Sequence, residues 1–189
     1  MMQLTDQPAT LESALFRFSI AAFDHLCEEG VFADRHVELI DGLILEVAPM
    51  NDLHYRWLGA LHDELFMALR GKARVSQQTP IKLGISNTKP LPDFTVIPLE
   101  RYSGNVPDPT EAAMVIEISD TTLEFDKGIK LQRYAQAGIR EYWVIDAKAS
   151  KLEVYREPEG MEYRSKQTFD AGSSAAMLEF PDVQVKWWL

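Results

Sequence analysis

The run AAMVIEIS, residues 112–119, constrains the fold more than any other part of the sequence. A continuous apolar run of this length is typical of a central strand that is covered on both faces. Glu117 lies inside it, and the alternation of a strand points Glu117 to the opposite face from Ile116 and Ile118. Because a buried lone carboxylate is costly, Glu117 needs compensation by a cation, either a paired arginine or lysine or a metal ion.

Two helices are predicted before this strand. Ser19 is expected to cap a helix over IAAFDHLCEE that stops at Gly30. Asn51 or Asp52 is expected to cap a longer helix that ends at Gly71. Apolar side chains recur every four residues along the second helix and predict one buried face, formed by Leu53, Trp57, Leu61, Leu65 and Leu69.

Strand patterns dominate the remainder, so we expect an α/β or α+β fold with one central mixed sheet flanked by helices. Asp41-Gly42 lies between two β-rich runs and predicts a hairpin. ARVSQQTPIKLG predicts a strand pair or a bent strand, PDFTVIP and YWVIDA predict single strands, and a helix is expected over about residues 123–137. A last hairpin is expected around residues 158–160. Without a repeat or composition break, we expect an arm over 1–14 and a single domain over 15–189.

Charge and cysteine content limit the classes of function. The single cysteine, Cys27, excludes an internal disulfide and an all-cysteine zinc site, and its place in an amphipathic helix predicts a buried thiol. No apolar stretch is long enough to span a bilayer and the N-terminus lacks the pattern of a signal peptide, so we expect a cytoplasmic protein. The net charge of −10 weighs against a free-standing nucleic-acid binder. A DNA-binding role would need a local basic surface, for which the candidates are Arg70, Lys72, Arg74, Lys82 and Lys89.

Three acidic residues in strand-like segments are the candidates for chemistry. Asp93 follows Pro92 at the start of a strand, Glu117 lies inside the central run, and Glu38 lies inside VELI. Carboxylates brought together repel one another, and a divalent cation is the usual compensation. Mg²⁺ needs only one or two carboxylates, with water and substrate phosphate completing its shell, which suits phosphodiester hydrolysis. Simpler interpretations are a turn for Asp93 and an exposed hairpin position for Glu38.

The helix after Glu117 offers a cation. Lys130 lies four residues after Asp126 and four before Tyr134, so the three form one stripe. Tyr134 belongs to the packed face of the helix, and Lys130 lies at the edge of that face. Lys127 lies nearer the middle of that face and remains a rival. An exposed Asp126–Lys130 pair would explain the same spacing, and His54 near a helix start is more often a capping or packing group than a base.

Pro92-Asp93 followed after 24 residues by Glu117 resembles the PD-(D/E)XK nuclease superfamily, which has the restriction-endonuclease-like fold. Ser119 replaces the lysine of the Glu-x-Lys triplet. This departure is similar to a branch of bacterial proteins called putative restriction endonucleases, in which the lysine has moved to the following helix. Asp120-Thr121-Thr122 departs from the Ser-Pro turn of that branch. Its other motifs are matched by ELIDG at 38–42, His54, the series Asp126, Lys130, Tyr134 and Gly138, and EYWVID at 141–146.

The resemblance implies a role for each candidate. Asp93 and Glu117 would be metal ligands with the carbonyl of Ile118 as a third, Lys130 would orient or activate the attacking water, and Glu38 would be an auxiliary acidic group. It implies an endonuclease that uses Mg²⁺ or Mn²⁺ on DNA, and double-strand cutting by one small domain would need a symmetric homodimer. The net charge and the altered turn favour an alternative, a catalytically inactive nuclease-fold protein that acts as a binding or regulatory module. A third interpretation is hydrolysis of a small phosphorylated molecule.

Overall fold

A six-stranded mixed sheet forms the centre of the protein. The computed structural model describes residues 14–189, so residues 1–13 of the expected arm lie outside the described residues. The sheet order is β3-β4-β5-β6-β7-β8, with β5 and β6 parallel and all other neighbours antiparallel. The strands are β3 (Ala73–Gln77), β4 (Phe94–Pro98), β5 (Met114–Ser119), β6 (Glu141–Asp146), β7 (Lys151–Glu159) and β8 (Glu162–Asp170).

The predicted helices are confirmed, with one addition. Helix α1 (Ile20–Glu28) begins at Ser19, whose hydroxyl accepts a hydrogen bond from the Ala22 amide. Helix α2 (Asp52–Ala68) begins at Asn51, which caps the His54 amide. Between β5 and β6, α3 (Leu123–Phe125) and α4 (Leu131–Gln136) are joined by a π-helical turn, Asp126–Lys130, that the sequence did not predict.

The predicted hairpin at Asp41-Gly42 forms a small sheet of its own. Its strands, β1 (Val37–Ile40) and β2 (Leu43–Glu46), pair with each other, and Leu39 also forms an isolated β-bridge with Lys89. Both turn residues have positive φ, and a Cβ on Gly42 would lie 2.7 Å from the Arg17 side chain, so glycine is required there. A second small pair, β9 (Ala175–Ala176) and β10 (Gln184–Val185), lies near the C-terminus.

The two faces of the large sheet carry separate apolar cores. One face packs Ile116 and Ile118 against the predicted buried face of α2, of which all but the half-buried Leu53 is buried. Trp187 stacks on Trp57 with ring centroids 6.4 Å apart, so the C-terminal tryptophan packs on the body of the chain. The other face packs Val115 with Tyr134 and other side chains. Glu117 follows Val115 by two residues and therefore points to this second face, as predicted.

Two expectations are wrong. Cys27 is exposed, and Phe23 is the one residue of α1 that is buried. The extended pattern after Ala73 ends at Gln77, since Gln78 turns the chain with a φ of +45° and residues 78–84 form no strand. Among the helices of the described part of the chain, none is long and apolar enough to cross a membrane.

Candidate active site

A cavity of about 390 Å³ opens at the carboxyl end of β5. The hairpin β1–β2, the start of α2, the approach to β4 and the π-helical turn surround it. Lys130 is the only lysine or arginine among the described residues that line it. Four buried carboxylates also line it and are called the acidic cluster below: Glu38, Asp93, Glu117 and Asp126.

Lys130 lies among three members of the acidic cluster. Its Nζ is 3.1 Å from Glu117 Oε1, 3.2 Å from Glu38 Oε2 and 3.7 Å from Asp126 Oδ1, and its side chain is only 9% exposed. Burial alone would lower the pKa of Lys130, but the three carboxylates outweigh it and raise the pKa. The side chain is therefore an ammonium ion, a donor of hydrogen bonds and not a base.

Glu117 is held through one of its two carboxylate oxygens. Lys130 and the Tyr134 hydroxyl, at 2.8 Å, both donate to Oε1, whereas Oε2 has no hydrogen-bond partner within residues 14–189. Burial raises the pKa of Glu117 well above its ordinary value. Lys130 opposes the rise, and the other three carboxylates add to it. The site thus carries more negative charge than its single ammonium can balance.

Sheet register brings Asp93 beside Glu117. Phe94 pairs with Ile116, so the next position of the ladder places Asp93 opposite Glu117. Oδ2 of Asp93 accepts a hydrogen bond of 2.8 Å from the Ile118 amide, and Oδ1 lies 2.9 Å from Nε2 of His54 on the first turn of α2. Burial lowers the pKa of His54, but the hydrogen bond and charge of Asp93 outweigh it, so the pKa is raised.

Asp126 is fixed by the turn that joins β5 to the helix. The hydroxyls of Ser119 and Thr122 donate to its Oδ2 at 2.7 and 2.5 Å. Asn51 binds the side chain of Asp120 in the same turn and connects it to the start of α2. The turn that departs from the family pattern therefore still supplies a hydroxyl, that of Thr122, to the site.

Glu38 reaches the site because the hairpin is fastened at its tip. Arg133 on α4 binds both carboxylate oxygens of Asp41, Nε to Oδ1 at 2.6 Å and Nη2 to Oδ2 at 2.7 Å. The Leu91 amide donates to Oε2 of Glu38 at 3.1 Å. The bidentate Arg133–Asp41 pair thus joins the hairpin to the helix that carries Lys130.

The structure brings every predicted site residue to this one cavity. Glu38 is buried and Asp126 and Lys130 form a buried pair, so the interpretation of either as an exposed feature is wrong. Lys127 points elsewhere and binds Glu153 on β7 at 2.9 Å. The predicted basic surface is weakened, because Lys82 and Lys89 both pair with Asp24.

Sequence reasoning did not assign a site role to Tyr134, Asp126 or Ser119. Asp126, Lys130 and Tyr134 follow one another at four-residue spacing, and this pattern in the sequence could have identified Tyr134 and Asp126. Ser119 stands where the lysine of the triplet was expected, and its hydroxyl acts on Asp126 instead. The contact of His54 with Asp93 depends on tertiary packing and had no local signal.

The carboxylate oxygens of this site are the kind of ligand that a hard divalent cation such as Mg²⁺ prefers. Within residues 14–189, no three His, Cys, Asp or Glu side chains converge closely enough to form a cage for a metal ion. Mg²⁺ does not need such a cage, since one or two carboxylates and several waters are its usual ligands in proteins. Asp93 and Glu117 both line the cavity, and since no described residue hydrogen-bonds Oε2 of Glu117, this oxygen can offer a lone pair to a metal ion.

Comparisons with known proteins bear on the family and the fold of the chain. A family model, Uma2, described as putative restriction endonuclease, matches residues 20–187. The fold is similar to the crystal structure of a putative nuclease belonging to DUF820 from Anabaena variabilis ATCC 29413, with a TM-score of 0.73 and 15% sequence identity over 90% of this chain and 95% of that one. Comparison with curated proteins gave no significant match.

Proposed function

The chain belongs to the family of putative restriction endonucleases, as its motifs predicted, and on that premise we propose that it hydrolyses DNA phosphodiester bonds with Mg²⁺ or Mn²⁺. The observation that carries the proposal is the convergence of Asp93, Glu117 and Lys130 on one cavity. Such a reaction needs anionic ligands for a divalent cation and a hydrogen-bond donor to the phosphate. Two carboxylates beside an ammonium ion supply both.

We assign Asp93 and Glu117 as the side-chain ligands of the ion and the carbonyl of Ile118 as the third. The Ile118 amide faces Asp93, directly before β4 begins, and the carbonyl of a strand residue points to the same side as its amide. When bound, the ion would polarise the phosphoryl group and lower the pKa of a bound water.

Lys130 would hold the attacking water or a phosphate oxygen. Because it is an ammonium ion, it orients these groups through hydrogen bonds and does not remove a proton. Glu38 is the auxiliary acidic group and holds Lys130 from the side of the hairpin. Tyr134 binds Oε1 of Glu117 and so leaves Oε2 for the ion.

The acidic lining makes a divalent ion essential for binding as well as for chemistry. A phosphate group that approaches four carboxylates and one ammonium is repelled unless bound cations reverse the local charge. The proposal places the protein in the cytoplasm with DNA as its substrate. Cutting both strands requires two sites, so the active form is a symmetric homodimer.

The test is nicking of supercoiled plasmid at low salt with Mg²⁺ or Mn²⁺. The wild type is compared with Glu117→Gln, which keeps the shape of the side chain and removes a ligand charge, and with the matched control Glu153→Gln on β7. Nicking by the wild type and the control, but not by Glu117→Gln, supports the proposal. Equal nicking by all three proteins would contradict it.

The size of the cavity favours a second candidate, hydrolysis of a small phosphate ester. A volume of about 390 Å³ lies within the usual range of small-molecule sites, and a single lysine offers little to a long polyanion. A phosphodiester such as bis(p-nitrophenyl) phosphate, tested beside the plasmid, separates the two. Turnover of the small ester without nicking favours the second candidate. Binding of Mn²⁺ without turnover of either substrate favours a catalytically inactive, regulatory protein.

A further inference from the structure

Helix α2 has a face that residues 14–189 leave exposed. Its inward face is buried through Trp57, Leu61 and neighbouring side chains. Its outward face carries three large apolar side chains, Tyr55, Phe66 and Met67, which are 68%, 53% and 69% exposed. Single exposed apolar residues are ordinary, but three on one helix face form a patch of the kind found at protein interfaces.

Gly59 lies at the centre of this outward face. Glycine is among the least favourable residues in a helix interior, and a Cβ at this position would meet no atom within 4 Å. Packing within residues 14–189 therefore gives no reason for a glycine here. A missing side chain lets a second backbone approach closely, and a groove of about 340 Å³ lies beside it, lined also by Tyr55 and Gln77.

The charges on this face are complementary to themselves. Arg56 precedes Gly59 by three residues, and Asp63 follows Ala60 by three. Among the described residues, the one hydrogen bond of the Arg56 side chain goes to the Asp52 carbonyl of its own helix, at 3.3 Å. Asp63 is 86% exposed, with His62 at 3.5 Å. In an antiparallel pair of α2 helices with a two-fold axis between Gly59 and Ala60, each Arg56 would lie opposite Asp63 of the other copy.

We propose that the exposed face of α2 is the interface between two copies of this chain, crossing antiparallel at Gly59. The occupant is a second copy because the face is self-complementary in charge, as a two-fold interface requires. The proposal specifies the surface of the dimer in the proposed function and rests on it. A 17-residue helix is about 25 Å long, so this pair alone buries less than about 1,200 Å² and association is weak, in the micromolar range.

The test is sedimentation equilibrium of the full chain over about two decades of concentration around the micromolar range. The wild type is expected to dimerise, and Arg56→Asp and Asp63→Arg each to weaken dimerisation by at least about tenfold. The double variant Arg56→Asp/Asp63→Arg restores opposite charges across the axis and should regain the wild-type constant. Arg164→Asp, an equal charge change at an exposed position of β8, is the matched control.

A substitution at Gly59 gives a second test that does not depend on charge. Gly59→Leu should leave the monomer folded, since open space surrounds the position, and should abolish the dimer by preventing close approach. A wild type that stays monomeric overturns the proposal, and so does a dimer that Arg56→Asp and Gly59→Leu leave unchanged. Because the readout is mass, a dimer that does not cleave DNA refutes only the proposed function, and a monomer that nicks refutes only the interface.

Discussion

Lys127 and Lys130 lie three residues apart in the same π-helical turn and meet opposite environments. Lys130 is 9% exposed among three carboxylates, whereas Lys127 is 31% exposed beside Glu153, which also binds Lys166 at 3.0 Å. One region has a single cation for several carboxylates, and the other has a single carboxylate for two cations. Only the first has uncompensated negative charge, and that excess is what a divalent ion would neutralise.

The two glutamates at these places show the same contrast. Burial and the neighbouring carboxylates raise the pKa of Glu117, although Lys130 opposes them. At Glu153, burial would raise the pKa, but hydrogen bonds from Tyr155, Lys127 and Lys166 outweigh it and lower the pKa. The fold therefore stabilises the anionic form of the carboxylate on β7, whereas burial and like charges disfavour the anionic form of the carboxylate in the site.

Replacing each lysine should give the largest difference in stability between the two regions. Lys130→Met leaves three buried carboxylates without their cation and is expected to lower the free energy of unfolding by about 3–5 kcal/mol. Lys127→Met breaks a partly exposed pair and should cost less than about 1 kcal/mol. Urea unfolding of both variants measures the difference. Equal losses would show that Lys130 does not compensate the acidic cluster.

Neutralising each glutamate should change stability in opposite directions. Glu117→Gln keeps an oxygen for Tyr134 and Lys130 and removes one of four like charges, so the free energy of unfolding should rise by about 1 kcal/mol. Glu153→Gln gives up two lysine partners and should lose about 0.5–1 kcal/mol. Thermal unfolding of the metal-free proteins tests both. A Glu117→Gln variant less stable than the wild type would contradict an excess of negative charge.

Arg133, three residues beyond Lys130, offers a test of how the hairpin is held in place. Arg133→Lys keeps the charge but cannot bind both oxygens of Asp41, so it should lower the free energy of unfolding by about 1 kcal/mol. Lys127→Arg is the control, since the pair with Glu153 does not depend on a bidentate donor. Urea unfolding should show a loss for the first variant and none for the second.

The pH dependence of stability should differ between the two glutamates by a smaller amount. With a raised pKa, Glu117 stabilises the fold fully below its unfolded value of about 4.3 and loses that contribution as pH rises through its folded value. With a lowered pKa, Glu153 contributes above about 4.3 and loses its contribution as pH falls through its folded value. Urea unfolding should therefore show that, as the pH rises from about 3 to 8, the free energy of unfolding of the wild type falls relative to that of Glu117→Gln. Over the same range it should rise relative to that of Glu153→Gln. Parallel curves would contradict the opposite shifts.

Local patterns were sufficient for most of the fold. The apolar run around Glu117 became β5, in which all six residues are buried, and Asp41-Gly42 became the turn of a hairpin. The cap at Ser19 was predicted correctly, and of the two candidates for the second cap, Asn51 and Asp52, the structure selects Asn51. Both caps are local hydrogen bonds between a side chain and an amide three residues on. The burial of Cys27 was predicted wrongly, because the buried face of α1 is narrow and contains a single buried residue, Phe23.

The sequence by itself determined which side chains could do chemistry. Asp93, Glu117 and Lys130 follow from residue type, from strand alternation and from four-residue helical spacing, which act over a few residues and are encoded where they act. The same patterns ranked Lys127 as a rival and allowed Glu38 and Asp126 to be exposed.

Only the tertiary structure decided between these alternatives. A π-helical turn takes more residues than an α-helical one, so Lys127 and Lys130 diverge further than regular helical spacing allows, one toward β7 and the other into the cavity. The Arg133–Asp41 pair, 92 residues apart in sequence, turns Glu38 inward, and the packing of α2 sets His54 against Asp93. Such contacts join elements that are distant in sequence, and no local period encodes which faces will meet.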